Sequence, residues 1–161
     1  MMTTAKSTPR GRTVARVAAV QALFQLDQTG DALDQVIDQF VRHRLDPVAQ
    51  QAPDDGLLPD ADGVLFARIV RAAVARADDL DALIVAALPA DWPLARLDAV
   101  LRSLLRAGAA ELAQPDGAPS RVIINEYLDV AHSFFSGDEG RLVNGMLDRL
   151  AHQLREGEFK A

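Results

Sequence analysis

The sequence predicts an all-α protein, a bundle of about seven helices in one domain or two small subdomains, and three observations lead to this fold class. Alanine and leucine dominate the apolar residues while aromatic residues make up only 5%, which favours helices because both residues lose little side-chain freedom there. Apolar residues recur at intervals of three and four along most of the chain. No convincing alternating strand pattern or internal repeat interrupts them.

Two segments are predicted to lie outside the helices. Residues 1–11 are interpreted as a flexible basic arm, because they contain Lys, Thr, Ser and Pro without apolar periodicity. A helical domain is expected at residues 12–158, interrupted by an acidic loop at about residues 46–63. That loop is rich in proline, glycine and aspartate, the residues that favour turns.

Residues 13–28 predict the first helix. Its apolar residues cover most of its circumference, so we expect it at the centre of a bundle. Its N-terminal turn, with Arg12 and Arg16 four residues apart, is predicted to be the solvated part, and Gly30 is predicted to end the helix.

Three further helices are predicted between residues 31 and 88. Their apolar spacing places them at residues 31–44, 64–77 and 80–88. Asp78 and Asp79 stand at the junction of the last two, where aspartate suits a helix cap.

The remaining helices are predicted from proline, capping and apolar patterns. Pro93 suits the first turn of a helix that runs over residues 93–112. A second apolar pattern predicts a helix at residues 121–134. Ser136 and Glu139 have the spacing of a capping box, which would begin the last helix.

The charge distribution is uneven. The net charge is −6, but residues 1–16 contain four basic residues and no acidic one, whereas residues 31–62 hold eight aspartates and two arginines. This pattern allows a local contact with nucleic acid and argues against a broad basic surface.

The sequence carries none of the common signatures of phosphate, dinucleotide, zinc-protease or hydrolase sites. There is no cysteine, and His43, His132 and His152 lie far apart in the sequence, so no metal or cofactor is expected. The aspartates of the acidic loop do not follow EF-hand spacing, and a solvated loop is the preferred interpretation. We expect a protein without catalytic activity.

With no secretory signal and no apolar stretch of membrane-spanning length, the protein is expected in the cytoplasm, away from membranes.

Three stretches, in order and spacing, resemble the NusB family. They are R-x-x-x-R at Arg12 and Arg16 followed by AAVQALFQLD (18–27); Trp92, Leu94 and Arg96 followed by LRSLLRAGAAEL (101–112); and VIINEYLDVAHSF (122–134) followed by VNGMLDRL (143–150). Each alone is an ordinary helical pattern, but together they span most of the chain after Arg10.

The resemblance implies a NusB-like helical bundle with two subdomains of three and four helices, and a role in transcription antitermination on ribosomal RNA operons. The implied partners are boxA RNA and NusE, a small-subunit ribosomal protein, with NusA, NusG and RNA polymerase in the larger complex.

The resemblance also implies site residues. The RNA-binding residues would be Arg10, Arg12, Arg16, Ser136 and Arg141. From charge pattern alone the three N-terminal arginines would be ordinary solubility charges, and the resemblance reverses that preference. The residues implied to meet the protein partner are Asp138, Leu101 and Arg102.

Three residues are assigned structural roles. Asn125 and Asn144 each stand beside apolar residues in a helix, so a buried amide that fixes helix register is preferred over RNA contact. Gly145 is expected to allow close approach of two helices.

Leu142 stands where the family usually has an aromatic residue, so the resemblance supplies no stacking ring at that position. We therefore expect weak RNA binding by the protein alone and dependence on NusE.

Two alternatives stay open. The chain could be a helical protein-interaction scaffold that binds no nucleic acid, or a NusB-like RNA-binding appendage of an RNA methyltransferase system. A free-standing factor is preferred to the appendage because no cofactor domain follows Ala161.

Overall fold

Seven α-helices form the secondary structure in the computed structural model, which describes residues 9–43, 62–93 and 96–159. No strand occurs within these ranges, so the predicted all-α fold is confirmed. The helices are α1 (Pro9–Thr29), α2 (Leu33–His43), α3 (Gly63–Ala75), α4 (Ala77–Ala87), α5 (Ala99–Leu112), α6 (Ser120–Phe134) and α7 (Glu139–Leu154), and a 3-10 helix (Glu156–Phe159) follows α7. Most of the acidic loop predicted at residues 46–63 lies outside the described residues.

The chain divides into two compact units, Met1–Val70 and Arg71–Ala161. The division falls inside α3, so the first unit holds α1, α2 and most of α3, and the second holds α4 to α7. Two small subdomains of three and four helices were expected, and the units agree with this.

Helix α1 begins at Pro9, four residues before the predicted start. Proline suits a first helical turn because its fixed φ is helical and no N–H is needed there. The Thr13 hydroxyl donates to the Pro9 carbonyl oxygen at 3.1 Å. Residues 9–11 of the predicted flexible arm are therefore helical, and residues 1–8 lie outside the described part. Gly30, with φ of 69°, follows the end of α1 as predicted.

In the first unit, α2 packs against α1, and aromatic rings join α2 to α3. The buried rings of Phe40 and Phe66 are stacked with centroids 5.5 Å apart. The Asp62 carboxylate caps α3 by accepting a hydrogen bond from the Leu65 N–H at 2.8 Å. The Asp62 N–H donates to the Gly11 carbonyl oxygen at 3.2 Å, which ties the start of α3 to the first turn of α1.

Helix α5 begins at Ala99, so the start predicted at Pro93 was wrong. The Asp98 carboxylate accepts hydrogen bonds from the N–H groups of Val100 at 2.8 Å and Leu101 at 3.3 Å. A proline only permits a helix start, whereas an aspartate cap stabilises one by satisfying N–H groups that lack helical acceptors.

Two other predicted helix starts are also corrected. The N-cap of α7 is Asp138, without a side-chain hydrogen bond, so the capping box of Ser136 and Glu139 is not formed. The N-cap of α4 is Arg76, and Asp78 and Asp79 lie within the first helical turn. Carboxylates are favourable there because they face the positive end of the helix dipole.

Helix α5 is the central element of the second unit, where it packs against α4, α6 and α7. An ion pair joins it to α4: Arg106 donates from Nε and Nη2 to the two carboxylate oxygens of Asp81, at 2.8 and 2.9 Å. Gly108 lets α7 approach closely, since a Cβ there would lie 2.8 Å from Leu147 Cδ2.

Arg155 stabilises the C-terminal end of α5 through hydrogen bonds to backbone carbonyl groups. Its guanidinium donates to the carbonyl oxygens of Leu112 at 2.9 Å, Glu111 at 3.1 Å and Gln114 at 2.8 Å, and also to that of Ala118. The last carbonyls of a helix lack helical donors, so one buried guanidinium stabilises this end of the helix.

Candidate nucleic-acid interface

The turn between α6 and α7, together with the first helical turn of α7, presents three predicted site residues to solvent. Ser136, Asp138 and Arg141 are all exposed. The first turn of α7 packs closely against α6 at Gly140, which is buried and where a Cβ would lie 2.7 Å from His132 Nε2. Ser136 and Asp138 lie in this turn and Arg141 follows at the start of α7, so the three exposed side chains are close in the chain.

A groove of about 260 Å³ lies beside this turn, within the second unit. It is formed by the connection after α4 and by one face of α7. Its lining residues are Pro89, Trp92, Asp138, Arg141, Leu142, Gly145, Met146 and Arg149. The structure therefore brings Asp138, Arg141 and Gly145 of the predicted residues together, whereas Ser136 does not line the groove.

The groove combines an apolar surface with charged groups. Leu142 and Met146 line the groove and are only 8% and 1% exposed, so they form its apolar floor. Arg149 donates from Nη1 to the Ala87 carbonyl oxygen at 2.7 Å, which orients its guanidinium. Arg141 has no hydrogen bond or ion pair with any other residue that the structure describes. Two guanidiniums and one carboxylate give the groove a net positive charge, which suits a phosphate or another anion.

Several groove residues were not predicted as site residues. Trp92 belonged to the sequence pattern that resembles the family but was given no role, and Pro89, Met146 and Arg149 were not considered for a site. The available signal was a tryptophan between Pro89 and Pro93, since a large aromatic residue in a connection has no helical stripe to bury it.

The N-terminal arginines differ in accessibility. Arg10 is exposed, Arg12 is partly exposed, and Arg16 is only 2% exposed. The prediction that the turn with Arg12 and Arg16 is solvated was therefore wrong for Arg16. Arg16 lies one helical turn before Val20, which is fully buried, so it continues the buried stripe of α1 towards the N-terminus. As placed, its guanidinium is not available for direct contact with RNA.

The residues predicted to meet the protein partner also differ in accessibility. Leu101 is 1% exposed and belongs to the core, so its predicted role on a contact surface is wrong. It is on the same side of α5 as Leu104 and Leu105, both fully buried. Arg102 is partly exposed and Asp138 is exposed, so both remain accessible to a partner.

The predicted structural residues are corrected as well. Asn125 and Asn144 are exposed, so neither is a buried amide. The apolar stripe of α6 runs through Ile123, Ile124 and Tyr127, which turns Asn125 to the opposite side. A Cβ on Gly145 would meet nothing within 4 Å, so no close helix approach requires this glycine. Gly108 and Gly140 have the role that was assigned to it.

Among the described residues no group of three or more His, Cys, Asp or Glu side chains is placed to hold a metal ion. None of the helices in the described ranges has both the length and the apolar character needed to cross a membrane.

Comparison with known proteins identifies the family. The NusB family profile matches residues 13–152. The chain is similar to the transcription antitermination protein NusB of Granulibacter bethesdensis, with 60% identity over 93% of each chain. It is similar to the protein of the same name from Gluconobacter oxydans, with 54% identity over 95% of this chain and 94% of that one.

Two solved structures share the fold. T. maritima NusB has a TM-score of 0.72 and 29% identity, covering 96% of this chain and 99% of that one. A chain in a crystal structure of the antitermination factors NusB and NusE with double-stranded RNA has a TM-score of 0.69 and 21% identity, covering 91% and 99%. The sequence profile and the high identity over nearly the whole length show that this chain is a member of the NusB family.

Proposed function

We propose that the protein is a transcription antitermination factor that binds the boxA element of ribosomal RNA operons together with NusE. The observation that supports this most strongly is its similarity, over nearly its whole length, to proteins named for transcription antitermination. The related fold found in a complex of NusB, NusE and RNA supports the pairing of this protein with both partners. In the cytoplasm the assembly would continue with NusA, NusG and RNA polymerase.

RNA contact is assigned to exposed or partly exposed cations in each unit. In the first unit these are Arg10 and Arg12 on the first turn of α1. In the second unit Arg141, at the groove beside the α6–α7 turn, has a guanidinium unoccupied by other described residues, and Ser136 adds a hydroxyl at the turn. Guanidinium groups suit single-stranded RNA because they neutralise phosphates and stack on bases.

NusE contact is assigned to Arg102 and Asp138. Both reach solvent in the second unit, and they carry opposite charges, so they would select complementary charges on the partner. Leu101 is excluded from this surface by its burial. Its replacement by alanine would change stability before it changed partner binding, because the side chain fills the core.

A titration with RNA tests this function. A boxA oligonucleotide should bind weakly to the protein alone, because only a few exposed cations face it and the net charge is −6. Addition of NusE should raise the affinity markedly, and a scrambled oligonucleotide should bind more weakly than boxA. Equal affinity with and without NusE would contradict the dependence on this partner.

A second measurement separates RNA binding from a purely protein-binding scaffold. The double variant Arg10→Ala and Arg141→Ala should retain NusE binding and lose RNA affinity, because the two side chains are assigned to RNA alone. RNA binding that is absent in the wild-type protein under every condition, with NusE still bound, would favour the scaffold instead.

A further inference from the structure

Gly145 is a glycine that neither the backbone nor the packing of α7 explains. Among the described glycines only Gly30 has a φ in the left-handed region, so Gly145 needs no special conformation. A Cβ at Gly145 would meet no atom within 4 Å. Glycine is one of the poorest residues for a helix interior, so its presence here costs stability without any gain in packing. The one feature the structure gives this position is that it lines the groove.

Trp92 lies in the same groove and is positioned by a local turn. Its main-chain N–H donates to the Pro89 carbonyl oxygen at 2.9 Å. The indole is partly exposed, and no residue in the described ranges stacks on its ring or accepts a hydrogen bond from its N–H. The ring is therefore available to a ligand in the groove.

The rim of the groove supplies positive charge. Arg149 is oriented by its hydrogen bond to Ala87, and Arg141 is exposed. The groove thus offers a planar ring, space beside Gly145 and nearby guanidiniums. These are the features that hold an unstacked nucleotide. The base stacks on the ring, and the phosphate pairs with the cation.

We propose that this groove binds one unstacked base of the RNA, which stacks on Trp92 in the space kept open by Gly145, while Arg141 pairs with the adjoining phosphate. This inference rests on the proposed function and adds the place at which a base is held. A side chain of NusE is the competing occupant, and the net positive charge of the groove favours the nucleotide.

The first test uses fluorescence, because Trp92 is the single tryptophan of the chain. Stacking of a base on an indole quenches its emission. A boxA oligonucleotide, added to the protein with NusE present, should quench the Trp92 signal in parallel with binding followed by a label on the RNA. The Trp92→Phe variant supplies the background emission of the partner. Binding of the labelled RNA without any change in Trp92 emission would overturn the proposal.

The second test fills the groove. Gly145→Ala and Gly145→Leu should weaken RNA binding in that order, by about 5-fold to 150-fold for complete loss of one stacked base. Gly145→Ala should not lower the melting temperature, because its Cβ enters open space and alanine favours a helix, so this variant separates RNA binding from stability. The matched control is Gly157→Ala, since a Cβ at Gly157 also meets nothing within 4 Å and this residue does not line the groove.

The third test removes the ring. Trp92→Leu should weaken RNA binding to the same extent as Gly145→Leu, and Trp92→Phe should restore most of the affinity because a benzene ring still stacks. The outcomes separate the two proposals. If wild-type protein binds no RNA with or without NusE, the proposed function fails. If RNA binds equally well to wild type, Gly145→Leu and Trp92→Leu, only the base-binding groove fails. If these variants lose NusE in the absence of RNA, the occupant is the partner protein and the base-binding groove is rejected.

Discussion

Asp138 places a negative charge in a groove that is otherwise lined by arginines and apolar groups. Its carboxylate is exposed, and Arg141 and Arg149 line the same groove. A phosphate held by the arginines would be repelled by this carboxylate. Asp138 is therefore expected to limit RNA affinity even though it lies among residues assigned to binding.

In the absence of NusE, the Asp138→Asn variant is expected to bind boxA RNA about twofold to fivefold more tightly, since one exposed charge interaction is worth roughly 0.5–1 kcal/mol. The gain should shrink at high salt because exposed charges are screened. Affinity measured at two salt concentrations checks this, with Asp129→Asn, exposed on α6 and outside the groove, as the control. A loss of RNA affinity would show that the carboxylate accepts a hydrogen bond from the RNA instead.

Among the described residues, Glu158 has a carboxylate whose pKa is lowered by its neighbours, so its charge state is expected to link stability to pH. Ser120 has the largest influence on the pKa of this carboxylate. Its N–H donates a hydrogen bond to Glu158 Oε2 at 3.2 Å, and its hydroxyl acts on the carboxylate without forming a well-aligned hydrogen bond. Arg155 adds a donor at 3.0 Å. These groups favour the ionised form and lower the pKa of Glu158 below 4.5.

A group whose pKa is lowered by folding stabilises the folded state above its ordinary pKa, and this contribution is lost as the pH falls through the folded value. The Glu158→Gln variant should therefore be less stable than wild type at pH 7. The difference should disappear as the pH falls below about 4.5. Thermal unfolding of both proteins across this range measures it. A difference that stays constant with pH would show that the carboxylate charge has no role.

At the scale of elements, two helix glycines show how packing decides the role of a residue. Gly108 of α5 has Leu147 against it, and Gly145 of α7 has open space. The sequence presents both as glycines inside an amphipathic helix, because a helical pattern gives the direction of a residue but not the element that covers it.

These glycines should respond to alanine with opposite signs. Gly108→Ala is expected to destabilise the protein by about 1–2 kcal/mol, because the new methyl group would lie 2.8 Å from Leu147, which is fully buried and has little room to move. Gly145→Ala is expected to stabilise it by up to about 1 kcal/mol through helix propensity. Denaturant unfolding of both variants measures the free energies, and changes of the same sign would contradict the packing described for α5 and α7.

The helix boundaries also depend on interactions that the apolar pattern does not show. The existence of all seven helices was predictable from apolar periodicity, since each helix buries a stripe that the sequence displays. Their starts were less predictable, because α5 begins after the Asp98 cap and α7 begins without the expected capping box. Competing caps differ by about 1 kcal/mol, so local sequence leaves several starts nearly equal in free energy.

At the scale of the whole molecule, RNA binding must overcome a net charge of −6. Binding then depends on a few cations in favourable places rather than on a basic surface, so the dependence on salt should be modest. Each phosphate contact on a single strand contributes a slope of about −0.7 in a plot of log affinity against log salt.

Arg141→Ala should make this slope shallower by about 0.7, and Arg10→Ala should do the same, because each is assigned one phosphate. Arg16→Ala should leave the slope unchanged and lower the stability, since this side chain is buried. Affinities for boxA with NusE, measured over a series of salt concentrations, test all three variants. An unchanged slope for both exposed arginines would show that the RNA lies elsewhere.

The amino-acid sequence by itself determined the helical fold and the family, and it predicted a site at the α6–α7 turn, because periodicity and motif order are properties of the chain alone. Tertiary structure decided which side chains reach a ligand: it buried Arg16 and Leu101, exposed Asn125 and Asn144, and placed Trp92 beside Arg141. The physical reason is that accessibility depends on the neighbouring element that packs against each face. That neighbour comes from a distant part of the chain, which no local pattern specifies.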